Sequence, residues 1–155
     1  MAARDGDGWI QCACGSKHWG LNGAAGILIF RGTQILLQHR APWVHNGDTW
    51  GIPGGARDSH ETTLEGAFRE AVEETGIDTT LLTALETFCD DHGSWKYETV
   101  VARAADGLVA FEVNDESHEV RWVEINQVEQ LPLHPSFAKS WPELMEILNH
   151  LIGPR

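Results

Sequence analysis

Three glutamates, Glu70, Glu73 and Glu74, follow a loop that carries a proline and two glycines, Ile52-Pro53-Gly54-Gly55. Each helical residue advances about 100°, so Glu70 and Glu74 share a face and Glu73 stands beside them. Like charges at that spacing repel, weakening a helix by roughly 0.2–0.5 kcal/mol per pair. A hard divalent cation held by carboxylate oxygens would offset the repulsion. The chemistry open to such a face is metal-ion catalysis on an anionic group. An ordinary charged outer face is the competing reading. Gly54-Gly55, the offset Glu61 and an arginine, Arg69, among the acids count against it.

The element that must position these carboxylates is well marked. Thr62 followed by Glu65 reads as a capping box with Thr62 as N-cap. Leu64, Ala67, Phe68, Ala71 and Val72 recur at helical spacing and are expected to face the core, with the three glutamates pointing away from them. Gly76 stands where a left-handed C-terminal residue is expected.

Gly55, Glu61 and the run Arg69-Glu70-Ala71-Val72-Glu73-Glu74-Thr75-Gly76-Ile77 follow the pattern Gly-x5-Glu-x7-Arg-Glu-U-x-Glu-Glu-x-Gly-U, where U is bulky and apolar. This resembles the Nudix box at every fixed position, with Ala71 smaller than the usual residue there. Trp50 to Gly55 resembles the strand and loop that lead into that box. The resemblance implies an α/β/α sandwich around a mixed β-sheet. It also implies that the Gly55 carbonyl joins Glu70, Glu73 and Glu74 around Mg²⁺, with Mn²⁺ as a substitute. In the same family Glu61 and Arg69 pair as structural support. The implied reaction is hydrolysis of the pyrophosphate bond in a nucleoside diphosphate linked to another group. Nucleoside and deoxynucleoside triphosphates, oxidised ones among them, are the leading substrates. ADP-ribose, dinucleoside polyphosphates and nucleotide sugars are alternatives, and a non-catalytic nucleotide-sensing domain is the alternative of another class. Glu116 and Glu119 are candidates for a later metal or base contribution, though an acidic solvated loop explains each equally well.

Composition narrows the setting. At 155 residues the chain is expected to form a single domain, 1-155, with residues 1-22 as an N-terminal extension. A net charge of −12 argues against general nucleic-acid binding and would repel an anionic substrate unless cations were bound. Bound Mg²⁺ answers both the repulsion in the helix and the repulsion of substrate. No apolar run reaches membrane-spanning length and no signal-peptide core is present, so no membrane partner and a cytoplasmic location are expected. Three cysteines make no disulfide framework, which suits a reducing compartment. Oligomeric state is not readable.

The remaining elements follow from pattern. Ala24 to Phe30 and Gln34 to Arg40 read as strands about a turn at Arg31-Gly32-Thr33, followed by a polar loop over 41 to 49. Leu81 to Asp90 and Lys96 to Ala104 read as a hairpin, Glu119 to Glu124 as a strand, and Pro135 to Leu151 as a closing amphipathic helix. Seven tryptophans exceed what a core of this size needs. Trp43, Trp95 and Tyr97, at or beside loops, could stack on a base, and Arg40, Arg57 and Lys96 could meet phosphates. Asp90, Asp91 and His92 could line the same pocket or simply form a turn. Cys12-x-Cys14 with His18 has zinc-binding residue types. Its spacing is short, and no fourth ligand follows locally, although Cys89 or His92 could come from a distance. Thiols beside a structural His18-Trp19 pair are the first reading and zinc the second.

Overall fold

The computed structural model describes residues 4–111 and 117–153. A short hairpin of β1 (Trp9–Gln11) and β2 (Lys17–Trp19) precedes the main sheet. That sheet is built from β3 (Ala24–Arg31), β4 (Gln34–Arg40), β5 (Trp50–Gly51), β6 (Gly54–Ala56), β7 (Leu82–Asp91), β8 (Lys96–Ala104) and β9 (Ser117–Glu124). Its principal order is β5-β4-β3-β8-β7, with β6 on β3 and β9 on β4. β3 and β8 run parallel at the centre and the other pairs run antiparallel, so the sheet is mixed. Helix α1 (Thr63–Thr75) covers one face and α2 (Pro135–Ile152) the other. This is the α/β sandwich the sequence implied.

The pleat explains the two layers. On β3, Ala25, Ile27 and Ile29 face α1, while Leu28 and Phe30 face α2. On β4, Leu36 joins the α1 layer and Ile35 and Leu37 join the α2 layer. Because both faces are covered, β3 is buried from Ala24 to Phe30 and reads as a continuous apolar run. α2 anchors its layer through Phe137, Trp141, Leu144 and Leu148, the period that marked it in the sequence.

Helix α1 departs from the expected orientation. Its inward face is Gly66, Ala67, Glu70, Ala71, Glu74 and Thr75, whereas Leu64 and Val72 are exposed. The glutamates therefore do not all point away from the core, and the apolar stripe is rotated from the one periodicity suggested. Small residues explain this: Gly66 and Ala67 let the helix axis approach Ala25 closely, which turns the larger Leu64 and Val72 outward. The ends are as expected. Thr62 accepts from the Glu65 amide at 3.1 Å and donates its own amide to the Glu65 carboxylate at 2.9 Å. Gly76 sits at φ 64°, where a Cβ would be strained.

The β1–β2 hairpin and the short strand β6 were not anticipated. Three-residue strands carry too little alternation to register as a period.

The helix orientation can be checked directly. Val72→Lys is expected to change unfolding free energy by no more than about 0.5 kcal/mol. Ala71→Leu should cost about 1–3 kcal/mol through overpacking. Urea denaturation giving the opposite ranking would restore the stripe of the sequence.

Candidate functional site

The site begins with an ion pair that ties the loop to the helix. Glu61 precedes the N-cap of α1, and Arg69 lies two turns further on. Arg69 grips Glu61 with two donors, Nε to Oε2 at 2.6 Å and Nη2 to Oε1 at 2.8 Å. Glu61 is almost wholly buried and also accepts from the Asp58 amide at 2.9 Å. The Arg69 hydrogen bonds hold its carboxyl far below its ordinary value of 4.5, at about 2. Arg69 also donates to the Ala56 carbonyl at 3.0 Å and to Glu70 Oε1 at 2.9 Å. One guanidinium thus fixes the strand before the helix, the loop, and a glutamate of the helix.

Glu70 and Glu74 lie buried under the Gly54-Gly55 strand. Glu74 accepts from Gln38 Nε2 of β4 at 3.0 Å and from the Gly54 amide at 2.9 Å. A Cβ on Gly55 would meet the Glu70 carboxylate at 2.7 Å, so any side chain there would push that carboxylate out of place. Gly54 is as constrained, since a Cβ would fall 2.8 Å from the Gly26 Cα. Burial pushes the Glu74 carboxyl well up, and the charge of Glu70 adds to the shift. Burial likewise raises Glu70 against the opposing pull of Arg69. Tyr97, wedged between Gly26 and Gly54, is raised by burial and by the two glutamates. Glu73 is half-buried and turned outward, and it receives Arg69 and Arg4.

These donors fit a hard divalent ion. They are carboxylate oxygens, two of them buried beside each other where unneutralised charge is costly. The face also draws cations from the chain itself: Arg4 contacts Glu73 and lies 4.0 Å from Glu70 and 3.9 Å from Asp58.

A cleft of about 340 Å³ adjoins this face, within the range that holds a small-molecule ligand. Its floor is Gly54-Gly55-Ala56, and its walls come from the β1–β2 hairpin, the β7–β8 hairpin, the 41 to 49 loop and the start of α2. Of the residues expected to contact substrate, Arg40, Trp95 and Tyr97 line it. Trp43 is 69% exposed and is not among its lining residues, and neither is Arg57, which donates to the backbone carbonyls of Asn22 and Glu61. Lys96 is likewise outside, while Asp90 lines the wall. Glu119 is not brought to the buried pair. It pairs with Arg121 at 3.1 Å, and its register partner His39 is one pleat out of phase with Gln38. Glu116 lies outside the described residues.

The sequence reading missed several members of this site. Gln38 is a buried amide inside an apolar strand, a signal that was available as a polar break in Ile-Leu-Leu-Gln. Trp9, Lys17 and Trp19 line the cleft from the unanticipated hairpin. His134 lines it too, its side chain capping α2 through the Ser136 amide at 3.2 Å and touching Asn46 at 3.3 Å. Cys12, Cys14 and His18 converge with ligand atoms within 4.8 Å of one another, His18 also lining the cleft.

A profile of the NUDIX domain matches residues 20–144. The chain is 49% identical over 152 residues to a Mycobacterium tuberculosis protein named "Putative 8-oxo-dGTP diphosphatase 3", covering 90% of this chain and 69% of that one. It is 43% identical over 155 residues to a Bifidobacterium longum nucleoside triphosphate pyrophosphatase/Nudix hydrolase fusion protein, covering 94% of this chain and 32% of the fusion. Among solved structures, the M. smegmatis Nudix hydrolase RenU superposes with a TM-score of 0.88 at 43% identity, covering 97% of this chain and 99% of that one.

The Glu61–Arg69 pair carries its own test. A carboxyl depressed in the folded state stabilises above its unfolded value of 4.5 and loses that contribution as pH falls toward 2. Glu61→Gln is therefore expected to cost on the order of 3 kcal/mol at pH 7. The gap from the parent should narrow between pH 5 and pH 3 in urea titrations, and a gap independent of pH would count against the pair.

Proposed function

The chain belongs to the Nudix hydrolase family, and from that membership we propose that it hydrolyses nucleoside triphosphates at a pyrophosphate bond with Mg²⁺. The leading substrates are oxidised purine deoxynucleotides, the class in the name of the M. tuberculosis relative. The observation that carries the reading is the buried Glu70–Glu74 pair, which lies behind the Gly54-Gly55 floor of a cleft of nucleotide size.

Glu70, Glu73 and Glu74, with the backbone at Gly55, would hold the ion; Mn²⁺ has the same hard-ligand preference. When bound, it neutralises charge on the phosphate oxygens and eases attack by water. The protein's own contribution is positioning. Gln38 and the Gly54 amide orient Glu74, and Arg69 orients Glu70. Glu70, held by Arg69, would also accept the proton of the attacking water. Among the described residues, the buried Trp95 indole N–H has no hydrogen-bond partner, and an acceptor on the substrate would satisfy it. One face of Trp95 is already covered by His18, with centroids 4.2 Å apart and planes 8° off parallel. Trp9 and Trp19, 60% and 44% exposed on the wall formed by the β1–β2 hairpin, are the rings offered for base stacking.

Among the described residues no helix is long and apolar enough to cross a membrane. The charge of −12 supports a small anionic substrate delivered with its cation rather than a polymer.

The test is release of pyrophosphate and nucleoside monophosphate across a nucleotide panel with Mg²⁺. Glu70→Gln should lower kcat by about 10²–10⁴. Glu74→Gln should both lower turnover and raise the Mg²⁺ concentration required. Equal, metal-independent rates near zero for parent and Glu74→Gln would overturn the proposal. Trp19→Ala should raise KM for the triphosphates with little effect on kcat, and an unchanged KM would remove the hairpin from the substrate site.

A further inference from the structure

The geometry points to a second metal site, chemically unlike the first: a zinc site formed by Cys12, Cys14, His18 and His92. Cys12 and Cys14 lie in the turn between β1 and β2, and His18 follows on β2. The turn is tight, with the Cys12 amide donating to the Ser16 carbonyl at 2.9 Å and the Gly15 amide to the Cys12 carbonyl at 3.1 Å. It brings both thiols and the His18 ring together, Cys14 Sγ lying 3.1 Å from His18 Nε2 and all three ligand atoms within 4.8 Å of one another. A tetrahedral zinc with ordinary bond lengths sets a sulfur–nitrogen edge of about 3.6 Å and a sulfur–sulfur edge of about 3.8 Å. Side-chain adjustments of about 1 Å would seat the ion.

His92, whose ring nitrogens lie outside that 4.8 Å cluster and would turn in toward it, supplies the fourth donor from the tip of the β7–β8 hairpin. The His92 ring centroid is 4.6 Å from that of His18, and the Cys12 thiol already donates to the His92 carbonyl at 3.1 Å. His92 Nε2 is held by Asp90 at 2.9 Å, the carboxylate–histidine arrangement that orients metal-bound imidazoles, which leaves Nδ1 as the ligand. The short Cys-x-Cys spacing and the lack of a local fourth ligand spoke against zinc in the sequence. The tight turn answers the first objection, and a residue about eighty positions away on a facing hairpin answers the second.

Such a site has a structural purpose. β1 and β2 are three residues each and pair in a two-stranded sheet of their own, an arrangement marginal in water. Yet the hairpin supplies a wall of the cleft. A soft Cys2His2 site would staple it to β7–β8 and would not compete with the oxygen-lined glutamate face for Mg²⁺.

The experiment uses untagged, reduced full-length protein in Mg²⁺ buffer, titrated with Zn²⁺ or with Co²⁺ alone. One equivalent of zinc should be retained through gel filtration. Co²⁺ should give thiolate charge-transfer bands and the intense visible absorption of a tetrahedral ion. Zinc should protect two of the three cysteines from alkylation, read by peptide mass, while exposed Cys89 reacts and serves as internal control. Cys14→Ser, at an exposed position, should fold and lose all three signals. His92→Ala should weaken zinc binding at least about tenfold. Zinc below stoichiometry, an octahedral cobalt spectrum, a Cys12–Cys14 disulfide in protein purified under reducing conditions, or equal alkylation with and without zinc would overturn the inference. None of these readouts depends on nucleotide hydrolysis, so they stand or fall apart from the proposed activity.

Discussion

Two carboxylates buried side by side, Glu70 and Glu74, need hydrogen-bond donors and positive charge from every direction, and much of the fold is placed to supply them. β4 contributes Gln38, the β6 backbone contributes the Gly54 amide, and α1 contributes Arg69. Arg69 can hold its position because Glu61 grips it from before the helix begins. The helix can lie low enough to reach the sheet because Gly66, Ala67 and Ala71 share its inward face with the two glutamates. The glycines of β6 follow from the same constraint, since any side chain at Gly55 would occupy the space of the Glu70 carboxylate.

That dependence also explains what could be read from the sequence. β3, β4, the β7–β8 hairpin and α2 were legible because a buried strand or an amphipathic helix leaves a period several residues long. The caps of α1 were legible because Thr62, Glu65 and Gly76 act on neighbours within a turn. The orientation of α1 was not. Hydrophobicity favours Leu64 and Val72 as inward residues, while close approach favours Ala67 and Ala71, and no single-helix pattern reveals which wins. The Nudix resemblance identified the acids and their support, yet it said nothing of Gln38, which matters only once β4 lies beside α1.

The cleft was the least legible part, for a topological reason. Its lining is drawn from segments spread from Trp9 to Leu144, each contributing a few residues. The box was concentrated in one segment and could be recognised whole. Trp9 and Trp19 belong to strands too short to show a pattern, and Trp95 and Tyr97 were visible only as aromatics near a turn. A surplus of tryptophans was the one compositional trace of the site.

The parallel pairing of β3 with β8 carries a kinetic consequence. Ala24 pairs with Tyr97 and Phe30 with Arg103, so the most apolar strand of the sheet acquires its central neighbour only after some seventy further residues are in place. Closing such a long loop is entropically slow, and non-local strand pairing delays folding. Until then the β3–β4 hairpin stands with one flank unpaired, a state prone to association with other chains. The mature architecture protects β3 completely, so the exposure belongs to the time before the chain is folded. In a growing chain, β3 and its apolar run would emerge well before the strand that shields them.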